Sequence, residues 1–255
     1  MLNFLKYFLG EGSTVEFRNF TLAHFLPILT AAAMIALICG KRHQIRNMKR
    51  EYVFRYLLAF ALILSEMSYY WRLVALPSLG PNPAQHLPIT VCGWVVVFSS
   101  YMLIGKSQTL FDISYFWVLA GSIFAVITPT VINYTGPTRF RYHQFWAEHL
   151  LGYVAVFYMI FVHNMRPTFK SLFKAYGALV VLAVVAYWSN DLIGPGANYL
   201  FMARPESTPS ILDILPPNFI LRLAIMAGAV TVLFGLAYLP WFLLDKKRAA
   251  VFAAK

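Results

Sequence analysis

Acid is what this chain has least of. Its 255 residues include 10 Asp and Glu against 21 Lys and Arg, and charge of both signs makes up only 12%. Soluble domains carry about 25% charged residues. With 60% hydrophobic residues and a mean hydropathy of +0.63, the chain cannot clothe a water-facing surface in charge. Cysteine is nearly missing too. Cys39 and Cys92 are the only two, which excludes a disulfide framework and a zinc-type CxxC pair. No HExxH motif and no i, i+4 histidine pair is present, so no metal ligand set is read here and no soluble cofactor is implied. A net charge of +11 invites nucleic acid as a partner, but there is no finger spacing, RNA-binding signature or long basic tail. The first residues, MLNFLKYFLGEGS, lack the small-residue cleavage site of a signal peptide. Internal repeats, heptads and low-complexity tracts are also absent.

What the chain does have is long apolar runs. They predict an all-α polytopic membrane protein, a bundle of seven transmembrane helices at 20–40, 53–76, 88–105, 108–131, 145–164, 172–191 and 217–244. About 20 apolar residues suffice to cross a bilayer. The third run is the shortest and begins at Pro88, a residue suited to a first helical turn. The whole of 1–255 reads as one transmembrane domain. Residues 1–19 form a short interfacial segment with a helix ending at Gly10, and 190–217 form a structured extracytoplasmic loop. That loop is too long for a plain connector, and its Tyr199, Leu200, Phe201, Ile211, Leu212, Ile214 and Leu215 argue for folding back over the bundle.

Lysine and arginine set the orientation. Thirteen fall in loops or ends on one side, densest in Lys41–Arg50, and five on the other. The richer side is cytoplasmic by the positive-inside rule, and its basic loops attract anionic headgroups. The amino terminus is then outside and the carboxyl terminus cytoplasmic, as an odd number of spans requires.

Ionisable residues within the spans gather near the outer face: His24, Glu66, Arg72, Cys92, His149, Asp191 and Arg222. Such groups are costly in hydrocarbon, so each is a functional-site hypothesis by default. Together they predict one polar pocket open to that face. Cys92 and His149 form the sharpest pair, because an imidazole can take a thiol proton and a nearby helix start favours the resulting thiolate. Against this, lone cysteines in apolar helices usually just pack. Thr90 is a second candidate nucleophile. Glu66 with Arg72 or Arg222 reads equally as a register-fixing ion pair or as part of a substrate site, in which the arginines clamp a phosphate or carboxylate. Asn198 and Tyr199 read as substrate contacts or as a turn and an interface anchor. On the inner half, Arg55, Asp112 and His163 lie near helix ends, where snorkelling suffices.

FTLAHFLPI at 20–28, Glu66, HLPITVCG at 86–93, ITP at 127–129, HQFWAEHLL at 143–151, NYLFMARPES at 198–207 and ILDILP at 211–216 together resemble the YwaF-type family of bacterial integral membrane proteins. That family is distantly similar to a eukaryotic ether-phospholipid acyltransferase, transmembrane protein 164, and to small membrane hydrolases of fatty-acid esters. The resemblance implies a multi-pass cell-membrane enzyme acting on membrane lipids at the extracytoplasmic leaflet, an acyltransferase or lipid hydrolase. It implies Cys92 as the nucleophile and His149 as the base. The family motif usually carries His where this chain has Thr90; His86, one turn earlier, is the candidate to compensate. The alternative reading is a transporter or a small-molecule- or lipid-binding protein using the same pocket, and a structural membrane subunit is the third.

Overall fold

A computed structural model describes residues 2–12, 16–129, 136–203 and 215–253. Among them every regular element is helical. The helices are α1 (Leu2–Leu9), α2 (Leu22–Arg46), α3 (Glu51–Ala75), α4 (Pro83–His86), α5 (Val91–Gly105), α6 (Gln108–Phe116), α7 (Ser122–Ile127), α8 (Phe140–His163), α9 (Phe169–Ile193) and α10 (Phe219–Ala253). A π-helical turn, Trp117–Gly121, joins α6 to α7.

Six helical segments are long and apolar enough to cross a membrane: α2, α3, the continuous α6–α7 stretch, α8, α9 and α10. The seventh expected span, α5, has only 15 residues, a length of about 22 Å at 1.5 Å per residue. It begins at Val91 and not at Pro88, because Thr90 supplies the N-cap. The Thr90 hydroxyl accepts from the Gly93 N–H at 3.1 Å, satisfying a donor that the first helical turn leaves open. At the other end, Lys106 closes α5 in the left-handed conformation (φ 51°, ψ 34°). The basic run after residue 40 does not end α2 as the hydropathy implies: the helix continues to Arg46.

Two ends of the bundle can be told apart by their side chains. At the basic end, the C-termini of α2, α5 and α8 meet the N-terminus of α3. Arg46 donates to Val162 O at 2.7 Å and to Phe161 O at 2.8 Å, and Arg55 donates to Leu103 O and Ile104 O. At the other end, here the site end, α1 packs over the starts of the chain's α8 and the finish of α3. Arg72 donates to Leu9 O at 3.3 Å and Arg139 to Tyr7 O and Glu11 O.

The core between these ends is aromatic and dense. Phe111, Phe116, Trp117 and Met159 are fully buried. Gly121 permits the closest approach, since a Cβ there would lie 2.9 Å from Val91 Cγ1. The π turn and Gly121 therefore let α7 start directly against the start of α5. Large apolar side chains on α2, α3, α9 and α10 face outward, among them Leu57, Phe60, Val181 and Leu236. That surface suits lipid, which demands internally satisfied backbone groups and supplies no water.

Arg55, Asp112 and His163, expected to snorkel from helix ends, are instead paired within the protein. Arg55, Asp112 and Glu51 are buried and paired. Glu51 accepts from Arg55 Nε at 2.9 Å, from Tyr158 Oη at 2.7 Å and from His163 Nε2 at 2.8 Å, while Asp112 pairs with Lys174 at 2.6 Å. Pairing replaces exposure because a neighbouring helix end delivers the partner.

Candidate functional site

The site end collects a polar centre between α3, the first turn of α5, α7 and α8. Cys92 is the second residue of α5, three residues nearer the helix start than a span beginning at Pro88 places it. Its thiol lies close enough to the His149 ring to interact with it electrostatically, and its Sγ lies 3.9 Å from the buried Ser122 Oγ. His149 is buried on α8, and its Nδ1 lies 2.8 Å from Phe145 O. A carbonyl only accepts, so Nδ1 carries a proton and Nε2 of the neutral ring is the basic nitrogen. The Phe145 ring stacks at 4.2 Å from the imidazole and fixes its plane.

Glu66 approaches from α3. A Cβ on Gly93 would stand 3.1 Å from Glu66 Oε1 and 3.2 Å from Thr90 Oγ1, so the carboxylate lies against the start of α5. It accepts from Tyr70 Oη at 3.3 Å and interacts electrostatically with Glu148, Arg141 and His149. It makes no ion pair with Arg72 or Arg222, the two partners expected. Beside it, Gln144 donates to Ser65 O at 3.0 Å and to Glu148 at 2.8 Å, and takes a bond from Arg141. Arg141 also pairs with Glu148 at 3.6 Å and lies 4.5 Å above the Tyr69 ring.

Several sequence candidates belong elsewhere. His24 is buried, but both its ring nitrogens are engaged: Phe20 N donates to Nδ1 at 2.9 Å, and Nε2 donates to Val126 O at 2.8 Å. With Phe17, Phe20, Phe25 and Trp146 around it, it pins α2 to α7 and is not part of the Cys92 centre. Arg222 is buried and points its guanidinium at three backbone carbonyls, Met202, Pro216 and Pro217, at 2.8–3.2 Å. These bonds tie the long loop to α10, and the residue is only 2% exposed. Arg72 holds Leu9 O and lies over Tyr69. Asp191 is exposed on the last turn of α9; its neighbour Asn190 is the buried one. Thr90 is the α5 cap, which occupies the hydroxyl proposed as a second nucleophile.

Asn190 exchanges two hydrogen bonds with the Tyr199 backbone, at 2.7 and 3.0 Å. The Tyr199 hydroxyl donates to Pro83 O and accepts from Leu87 N at 2.8 Å. Tyr199 thus ties the loop before α5 to the loop after α9 and is not aimed at the thiol. Asn198 caps a turn, accepting from Ala203 N at 3.2 Å. Ile211, Leu212 and Ile214 lie outside the described residues. Tyr199→Phe leaves the Leu87 N–H without its partner and should cost about 1–3 kcal/mol, readable as a lowered melting temperature of the purified protein.

His86 meets Tyr69 Oη through Nδ1 at 2.7 Å. Burial first, then the positive charges of Arg72 and Arg141, hold its pKa below the ordinary histidine value. It is a neutral acceptor at physiological pH, hydrogen-bonded to Tyr69 and not to Cys92.

The sequence reading missed Glu148, Arg141, Gln144, Tyr69, Tyr70 and Ser122. For the α8 group a signal existed. Arg141, Gln144 and Glu148 sit at i, i+3 and i+7, one stripe of a helix, and Glu148 adjoins His149 within an otherwise apolar run. Ser122 was not findable, since only the π turn brings it to Cys92.

These features define an integral membrane protein of apolar helices with a buried polar centre near one end. The chain belongs to the TMEM164 family, whose family model matches residues 19–238. No curated protein and no solved structure matches the chain.

Proposed function

We propose that this protein is an acyltransferase or lipid hydrolase of the extracytoplasmic leaflet of the cell membrane, a seven-span member of the YwaF-type bacterial branch. Cys92 is its nucleophile and His149 its base. What supports the reading is the closeness of the Cys92 thiol to the buried His149 ring, with Nδ1 occupied by Phe145 O. That occupation leaves the basic nitrogen of the neutral ring for the thiol.

The steps balance as follows. His149 Nε2 takes the thiol proton as Sγ attacks an acyl ester carbonyl. The carbon–oxygen bond of the ester breaks, and His149 returns the proton to the departing alkoxide, leaving a thioester on Cys92. An acceptor hydroxyl or water then gives its proton to His149 and displaces the thiolate. The start of α5 favours the negative sulfur, because helix N-termini carry partial positive charge. Glu148 stabilises His149 when it is charged. Arg141 and Tyr69, partly exposed, are better placed than the buried Arg222 to meet a lipid headgroup.

An electrophilic acyl-chain probe should label the protein at Cys92. Labelling should vanish in Cys92→Ser, slow in His149→Ala and persist in Cys39→Ser; equal labelling of Cys92→Ser refutes the assignment. The amino terminus outside and the two-residue α5–α6 turn, Lys106 and Ser107, inside follow from the charge asymmetry. Single cysteines at positions 45 and 136 should react from opposite sides of the membrane, and reaction of both from one side overturns that topology.

A further inference from the structure

The basic end holds a cavity of about 380 Å³, open to its surroundings and lined by Arg46, Lys49, Glu51, Arg55, Lys106 and His163 among others. Its charge is unbalanced. Glu51 is the one acid in the wall, and it is already engaged by Arg55, Tyr158 and His163. Among the described residues, Arg46, Lys49 and Lys106 are in no ion pair. Three cations converging on one concavity repel one another unless an anion sits between them. Lysines and arginines that serve only to set topology have no need to converge; they act from anywhere in a short cytoplasmic loop.

The wall is also built. Arg55 is buried, and its guanidinium is fixed by Glu51 on one edge and by Leu103 O and Ile104 O on another. Arg46 is fixed by Val162 O, Phe161 O and Asn164 Oδ1. Lys106 adopts a left-handed backbone as the C-cap of α5, a position for which glycine or asparagine is better suited. Lys49 adds a flexible ammonium from the turn between α2 and α3. Planar guanidiniums held in place, with mobile ammoniums beside them, are the donor set that recognises phosphate oxygens.

The geometry points to a phosphate-binding site at the basic end, formed by Arg46, Lys49, Arg55 and Lys106, that takes the phosphate of an anionic lipid headgroup or of a free phosphate compound. It stands apart from Cys92 and His149 and does not depend on the acyl-transfer reading.

Two probes separate the sources: inorganic phosphate, and a short-chain phosphatidic acid below its micelle concentration. Each is titrated into the full-length protein in neutral detergent, with affinity read from the thermal shift. Lys49→Gln/Lys106→Gln removes two lining charges; both lysines are exposed, so the fold should stand. Lys41→Gln/Lys170→Gln removes the same charge from exposed positions on α2 and α9 outside the cavity. The lining pair should weaken binding about tenfold and the control pair less than twofold, with affinity falling as salt rises. Binding of both probes with this pattern assigns the site to the phosphate group alone. Binding of phosphatidic acid only assigns it to a headgroup. Binding of neither probe, or equal loss in the two double variants, overturns the proposal.

Discussion

Cys92→Ala should abolish turnover of acyl-lipid esters by the purified protein while its melting temperature stays close to that of the parent. The two halves of this result have separate physical origins. Removing the nucleophile removes the covalent route altogether. Truncating a half-buried cysteine to alanine deletes one sulfur atom from the edge of a polar centre, so the change belongs among the mild substitutions. His149→Ala should lower the rate by about 10²–10⁴, the range attributed to a positioned general base. Combining the two should cost little more than Cys92→Ala alone, because residues acting as a unit are not additive. Cys39→Ser should leave the rate unchanged: Cys39 lies on α2 near the basic end, beside Arg42. Full turnover by folded Cys92→Ala would remove the cysteine mechanism and return attention to binding or transport through the same centre.

Glu51→Ala should be the most destabilising single change at the basic end, by about 3–5 kcal/mol, because it strips the counter-charge from a buried arginine. Arg55 is 5% exposed, and its Nε contacts both Glu51 oxygens at 2.9 and 3.0 Å. Tyr158 and His163 lose their acceptor in the same step. α3, α5 and α8 are held together at this end by that one carboxylate and the arginine beside it, so the loss should spread to all three helices. The double variant Glu51→Ala/Arg55→Met should recover most of the loss, since a buried pair replaced by an apolar side chain of similar volume is often neutral. Denaturation of the three proteins in the same detergent reads the difference. A loss below about 1 kcal/mol for Glu51→Ala would place the pair with exposed ion pairs of little worth.

Much of the architecture is legible in hydropathy because a bilayer accepts few designs. Helices appear where the apolar runs lie, and their ends shift for local reasons: Thr90 caps α5 late, and α2 carries its basic tail in helical form to Arg46. Distance along a helix follows in the same way, since rise per residue is fixed. Rotation and pairing do not. His24, Cys92, His149 and Arg222 are expected at one depth, yet His24 turns toward Val126 O and an aromatic cage, and Arg222 turns toward the carbonyls of the long loop. Only Cys92 and His149 of these four meet. Asp191 and Asn190 make the same point over one residue: a step of about 100° along a helix separates an exposed acid from a buried amide. Ser122 depends on a π turn and on Gly121, neither of which leaves a hydropathy signal. Glu148 is different. It stands in plain view one position before His149, and its place on a stripe with Arg141 and Gln144 marks it as part of the centre.

The measurement that bears most directly on Cys92 as nucleophile is the intact mass of the protein after brief exposure to an acyl lipid and rapid acid quenching. The expected result is a population heavier by one acyl chain, with the added mass on the peptide containing Cys92, released by hydroxylamine at neutral pH and absent in Cys92→Ala. His149→Ala should form the same adduct more slowly. Turnover of the lipid without any adduct on Cys92, or with the acyl group on another residue, would contradict the account.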